Sequence, residues 1–77
     1  MAAKKISLFV GNVSKNISQR DLEHEFGRFG HCSISNRGSY AFVEYEDIRD
    51  AEDAKMVLNN KNLGGLNLNI EWSKRSG

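Results

Sequence analysis

Tyr40-Ala41-Phe42-Val43-Glu44-Tyr45 is the stretch that decides how this chain folds. Side chains of a β-strand point to alternate faces, so Tyr40, Phe42 and Glu44 share one side and Ala41, Val43 and Tyr45 the other. The second set reads as a core stripe. The first puts two aromatic rings on a face that, if wet, exposes apolar area at a cost unless a flat group stacks on it. Leu8-Phe9-Val10-Gly11-Asn12-Val13 has the same form, with Leu8 and Val10 on the core side and Phe9 and Gly11 opposite. Laid side by side, the two strands make one platform of Phe9, Tyr40 and Phe42, in which the small Gly11 leaves room for a flat ring.

The rest of the chain reads as the frame of that platform. Ile6 to Gly11 is a first, central strand. Ser18 offers a helix N-cap and Asp21, three residues on, completes a capping box; Leu22 and Phe26 then share one helical face, with Ile17 or Phe29 extending it. Gly27 and Gly30 stop that helix. His31 to Asn36 is an edge strand with Cys32 and Ile34 inward, and Asn36-Arg37-Gly38-Ser39 turns it back as a hairpin. Asp47 caps a second helix on which Ile48, Ala51, Ala54 or Lys55, and Leu58 recur at helical spacing. The final strand runs from Leu66 or Asn67 to Trp72, with Leu68, Ile70 and Trp72 on one face and Asn67, Asn69 and Glu71 on the other. The expectation is an α+β, ferredoxin-like β-α-β-β-α-β sandwich: a four-stranded antiparallel sheet with both helices on one face.

Seventy-seven residues allow one small domain with a modest core. The net charge of +1 says little about partners, but its distribution is uneven: Glu44 to Asp53 holds six acids against Arg49 alone. The positive remainder, at Lys4, Lys5, Arg37, Lys61, Lys74 and Arg75, is expected around the platform's edges, where it would meet phosphates. A single cysteine, Cys32, makes no internal disulfide and reads as a packed thiol of a reducing compartment. No apolar run approaches membrane length. His24 and His31 have no partner at a spacing that supports acid-base, nucleophilic or metal chemistry, so no enzyme, metal or cofactor is expected.

Residues 38–45 resemble the octamer motif of RNA recognition motif (RRM) domains, K/R-G-F/Y-G/A-F-V-x-F/Y. The match holds from Tyr40 to Tyr45, whereas Gly38 and Ser39 replace the usual basic residue and glycine. Residues 8–13 resemble the family's hexamer motif, with Val13 in place of the final leucine. The resemblance spans residues 5–74, taken as a single RRM-type domain with flexible ends at 1–4 and 75–77. It implies that Phe9 and Tyr40 stack successive bases of single-stranded RNA while Phe42 lies against the sugars between them. Arg37 would stand in for the missing basic residue at Gly38. Asn67, Asn69 and Glu71, together with Trp72, Lys74 and Arg75 of the last strand and tail, would make the flanking contacts.

More narrowly, Tyr40 to Asp47 followed by Arg49-Asp50-Ala51-Glu52-Asp53-Ala54, and the ending Ile70-Glu71-Trp72, are similar to the first RRM of serine/arginine-rich (SR) splicing factors. That resemblance implies a nuclear role in pre-mRNA splicing or mRNA processing, with shuttling to the cytoplasm. It also implies other splicing or mRNP proteins as partners, and an arginine/serine tail, with room for a second such domain, beyond Gly77. A monomer is expected. The rival reading is a protein-interaction module of the same fold, whose acidic second helix would meet a basic peptide. The uncovered Phe9, Tyr40 and Phe42 weigh against it.

Overall fold

The computed structural model describes residues 5–73. Its main sheet has four antiparallel strands in the order β2-β3-β1-β6: β1 (Ile6–Gly11) and β3 (Ala41–Tyr45) are central, β2 (Cys32–Asn36) and β6 (Asn69–Ser73) are the edges. Two short strands, β4 (Asn62–Leu63) and β5 (Leu66–Asn67), form a separate ribbon. Helices α1 (Gln19–Gly27) and α2 (Ile48–Leu58) complete the β-α-β-β-α-β frame.

The alternation on the central strands sorts as the sequence predicts. Leu8, Val10, Ala41 and Val43 are fully buried and pack against Leu22 and Phe26 of α1 and Ala51, Ala54 and Leu58 of α2. Truncating one of these buried leucines to alanine costs about 2–5 kcal/mol in a core of this kind. The paired alanines on α2 let that helix approach closely where larger residues would hold it off the sheet.

Both helix starts rest on side-chain caps. At α1 the capping box is complete: the Asp21 N–H donates to Ser18 Oγ (3.2 Å) and the Ser18 N–H donates to Asp21 Oδ2 (3.0 Å). The bond from the Ser18 backbone holds the Asp21 carboxyl below its ordinary range. At α2 the Arg49 N–H donates to Asp47 Oδ1 at 2.9 Å. Tyr45, the last residue of β3, donates its buried hydroxyl to the Phe26 carbonyl at 2.6 Å, tying α1 to the middle of the sheet.

The structure corrects the sequence reading in two places. Ile48 opens α2 but is 51% exposed, because the inward stripe begins one turn later at Ala51. The final strand begins at Asn69, not at Leu66 or Asn67. Gly64 and Gly65, at φ 66° and 98°, close a tight β4–β5 hairpin, and positive φ at both turn positions favours glycine. Leu68 then exchanges backbone bonds with the α2 exit: its N–H donates to Lys61 O (2.9 Å) and its carbonyl accepts from Asn60 N–H (2.8 Å).

Candidate nucleic-acid interface

The face of the sheet away from the helices carries the aromatic platform. Register builds it in rows: Phe9 stands opposite Phe42 on β3 and opposite Glu71 on β6, and Phe42 in turn opposite Ser35 on β2. The rings of Phe9, Tyr40 and Phe42 form a near-equilateral triangle with centroids 5.7 to 5.8 Å apart. Phe9 and Tyr40 lie within 28° of parallel, whereas Phe42 is turned edge-on at 64° to Phe9 and 88° to Tyr40. Tyr40 is 38% exposed, and Phe9 and Phe42 are half-buried by their neighbours.

Gly11 has a role other than the open space the sequence suggested. A Cβ at this position would meet Phe9 Cε2 at 3.0 Å, so the Phe9 ring itself lies over the glycine and is held beside Tyr40.

The β2–β3 turn sets Arg37 beside Tyr40. The Arg37 N–H donates to the Tyr40 carbonyl at 2.8 Å, Gly38 adopts φ 97°, and the Gly38 N–H donates to Asn36 Oδ1 at 2.9 Å. A side-chain turn of this type is what asparagine supplies, and the positive φ is what glycine supplies. On β6, Asn69 stands opposite Gly11, and its Nδ2 donates to Glu71 Oε2 at 3.4 Å, so these two candidate residues come together at the β6 border of the platform.

The other residues singled out in the sequence lie elsewhere. Trp72 is opposite Leu8 on the helix-facing side of the sheet, 44% exposed, in an open groove with Glu52, Lys55, Met56, Asn59 and Asn60. It is not part of the aromatic platform. Asn67 belongs to the β4–β5 ribbon, where its Oδ1 accepts from Asn62 Nδ2 at 3.0 Å and its carbonyl from Asn12 Nδ2 at 2.8 Å. Lys61 bonds to Glu25 Oε1 at 3.1 Å, joining α1 to the α2 exit instead of edging the platform. Lys4, Lys74 and Arg75 and the chain ends at 1–4 and 75–77 lie outside the described residues.

Asn12 was not among the candidates, yet at φ 61° it turns the chain out of β1 and ties that turn to β5. Asparagine is among the few residues that tolerate this conformation, and its place at the end of the hexamer motif is the one sequence signal that marks it. Glu44 has Lys5 Nζ at 3.9 Å, and His31 Nδ1 meets Glu46 Oε2 at 3.0 Å at the far end of β2. Cys32 is turned to the helix side, and burial pushes its thiol up from the usual range. Among the described residues no three His, Cys, Asp or Glu side chains are placed to hold a metal ion. No helix among them is long and apolar enough to cross a membrane.

The family model of the RNA recognition motif matches residues 8–69. The chain belongs to the RNA recognition motif family. Membership makes residues 8–69 an RNA-binding domain and not an enzymatic one. This RRM is 38% identical over 87% of its length to the serine/arginine-rich splicing factor RS2Z32 of Arabidopsis thaliana. It is 34% identical over 91% of its length to a probable arginine/serine-rich splicing factor of Caenorhabditis elegans. The chain spans only 24% and 25% of those two proteins. Among solved structures it resembles the Nab3 RRM, described as recognising cis elements of non-polyadenylated RNAs. The TM-score is 0.80 at 26% identity, covering 99% of this chain and all of that one.

Proposed function

We propose that this RRM binds single-stranded RNA on the Phe9, Tyr40 and Phe42 platform, as the RNA-contacting part of an SR-type protein acting in pre-mRNA splicing or mRNA processing in the nucleus. The observation that carries the binding is the triangle of rings on the uncovered face of the sheet, with two of them near-parallel. Single strands offer base faces that a duplex hides, and each base stacked on an aromatic side chain contributes about 1–3 kcal/mol. Phe9 and Tyr40 present their faces to successive bases, and the edge-on Phe42 suits a sugar. Arg37, at the turn beside Tyr40, reaches for a phosphate in place of the basic residue the motif lacks at Gly38. Asn69 and Glu71 border the platform, and Lys74 and Arg75, the next residues in sequence after Ser73, are two further positive charges. Splicing is favoured over other RNA processes by the SR relatives, to which the chain aligns over most of its length. The domain acts as a monomer alongside other splicing or mRNP proteins.

The experiment is an NMR titration of the labelled chain with short single-stranded RNAs of mixed sequence, run for the wild type, Phe9→Ala, Tyr40→Ala and Arg37→Ala. Shifts are expected on β1, β3 and the β2–β3 turn. Each aromatic truncation should weaken binding about 5- to 150-fold, and Arg37→Ala should lower the salt slope by about one. Unmoved β1 and β3 signals at millimolar RNA would overturn the reading and leave the peptide-binding module in its place.

A further inference from the structure

The core does not absorb Trp72, and the platform does not reach it. On the helix side of the sheet Leu68 and Ile70 are fully buried, whereas Trp72, the next residue of that stripe, stays 44% exposed in the groove beside the end of α2. Met56 lines the same groove and is 74% exposed, and Ile48 is exposed at the start of α2. Among the described residues α1 exposes no large apolar side chain, so the uncovered apolar area of the helix side gathers along α2. A tryptophan and a methionine left facing one groove are residue types that protein interfaces favour.

The groove also favours a cation. It holds about 470 Å³ of open space, lined by Glu52 and by the residues that end α2, where the helix dipole is negative. Glu52 is exposed and has no ion pair among the described residues. An indole face attracts a cation as well. Lys55 is the one base in the lining, and α2 with its cap carries Asp47, Asp50, Glu52 and Asp53 against Arg49 and Lys55. That balance works against a nucleic-acid phosphate and for a basic peptide. We propose that this groove docks a segment of a partner protein through an arginine, its guanidinium lying on the Trp72 indole and paired with Glu52 while an apolar neighbour packs on Met56. Arginine suits the site better than lysine, because a planar guanidinium stacks on a ring and still presents N–H groups at its edge to a carboxylate. The proposal does not rest on the platform reading: the groove and the platform lie on opposite faces of the sheet, so RNA and the partner are held at once.

Trp72 is the only tryptophan of the chain, so its fluorescence reports on the groove alone. The whole chain is titrated with tryptophan-free nonapeptides in which a leucine is flanked by arginines, by lysines or by glutamates, all at one salt concentration. The arginine peptide is expected to shift Trp72 emission with a Kd below about 1 mM. The lysine peptide should bind more weakly and the glutamate peptide not at all. Glu52→Gln keeps the shape of the side chain and should weaken the arginine peptide about two- to fivefold. Met56→Ala should weaken it as well, and both positions are exposed on α2, so neither substitution disturbs the core. Mixed-sequence single-stranded RNA octamers should leave the emission unchanged. No shift with the arginine peptide at millimolar concentration, equal binding of the lysine or glutamate peptide, or an affinity that survives Glu52→Gln overturns the proposal. An emission shift with RNA alone would make the groove part of the RNA surface and overturn it too. Lys74 and Arg75 follow Trp72 closely in sequence, so the double variant Lys74→Ser, Arg75→Ser is included. If it binds the arginine peptide more than about tenfold tighter than the wild type, the groove belongs to the chain's own tail and the proposal falls.

Discussion

Tyr45→Phe removes one oxygen from the core and leaves the shape of the ring. The lost bond is the one from the Tyr45 hydroxyl to the Phe26 carbonyl, 2.6 Å long and wholly buried. A neutral buried hydrogen bond contributes about 0.5–1.5 kcal/mol net. The carbonyl keeps a second donor, the Phe29 N–H at 3.3 Å, so the change does not orphan it and the cost should be near 1 kcal/mol. For a domain of this size that lowers Tm by about 4–8 °C.

A pH signature accompanies the loss. Burial raises the Tyr45 phenol far above its ordinary value of 10.0, so the folded protein holds this proton more tightly than the unfolded chain. The resulting stability is fully present below pH 10 or so. It is lost at up to about 1.4 kcal/mol per pH unit as the pH rises toward the folded value. Circular dichroism melts of the wild type and Tyr45→Phe between pH 7 and 11 read both effects. The variant should start lower at pH 7 and decline less steeply above pH 10, while RNA affinity at pH 7 stays the same because Tyr45 faces the helices. Equal melting temperatures at pH 7, or parallel declines above pH 10, would refute the reasoning.

Three further perturbations test other joints of the structure. Gly11→Ala places a methyl 3.0 Å from Phe9 Cε2 and should push the ring out of line with Tyr40, weakening RNA binding severalfold with every ring still present, as anisotropy would show. Gly64→Ala combines a left-handed turn position, φ 66°, with a contact at 2.8 Å to Ile17, and should lower stability in urea denaturation by about 1–2 kcal/mol or more. Asp21→Asn removes a carboxyl whose folded pKa is depressed. The wild type should therefore lose stability as the pH falls below the ordinary aspartate value of 3.8, and the variant should lose less, in melts between pH 5 and 2.

Much of this architecture was written into short stretches of sequence. The alternation in Tyr40 to Tyr45 and in Leu8 to Val13 assigned Leu8 to Gly11 of β1 and all of β3 to their faces, because the side-chain period of a strand is a property of the local backbone. Ser18 and Asp21 marked the start of α1 for a similar reason, since a capping box closes within four residues. The failures are non-local. Ile48 fits the helical period of α2, but how far a helix overhangs its sheet decides which turn is buried. Leu66 to Trp72 looks like one strand, yet Gly64 and Gly65 fold β5 back on β4, and only the return of Leu68 to the α2 exit shows where the sheet resumes. Lys61 is one more surface cation until Glu25, thirty-six residues away in sequence, comes within 3.1 Å.

The interface divides in the same way. By itself the sequence determined that Tyr40 and Phe42 share the face of their strand opposite its core stripe and that Phe9 does the same on its own strand. The tertiary structure decided that Phe9 leans over Gly11 within 28° of Tyr40 and that Asn69 and Glu71 border the Phe9 ring. Which face a side chain takes follows from its own strand. Which groups meet there follows from register between strands distant in the chain, and no local pattern carries that information.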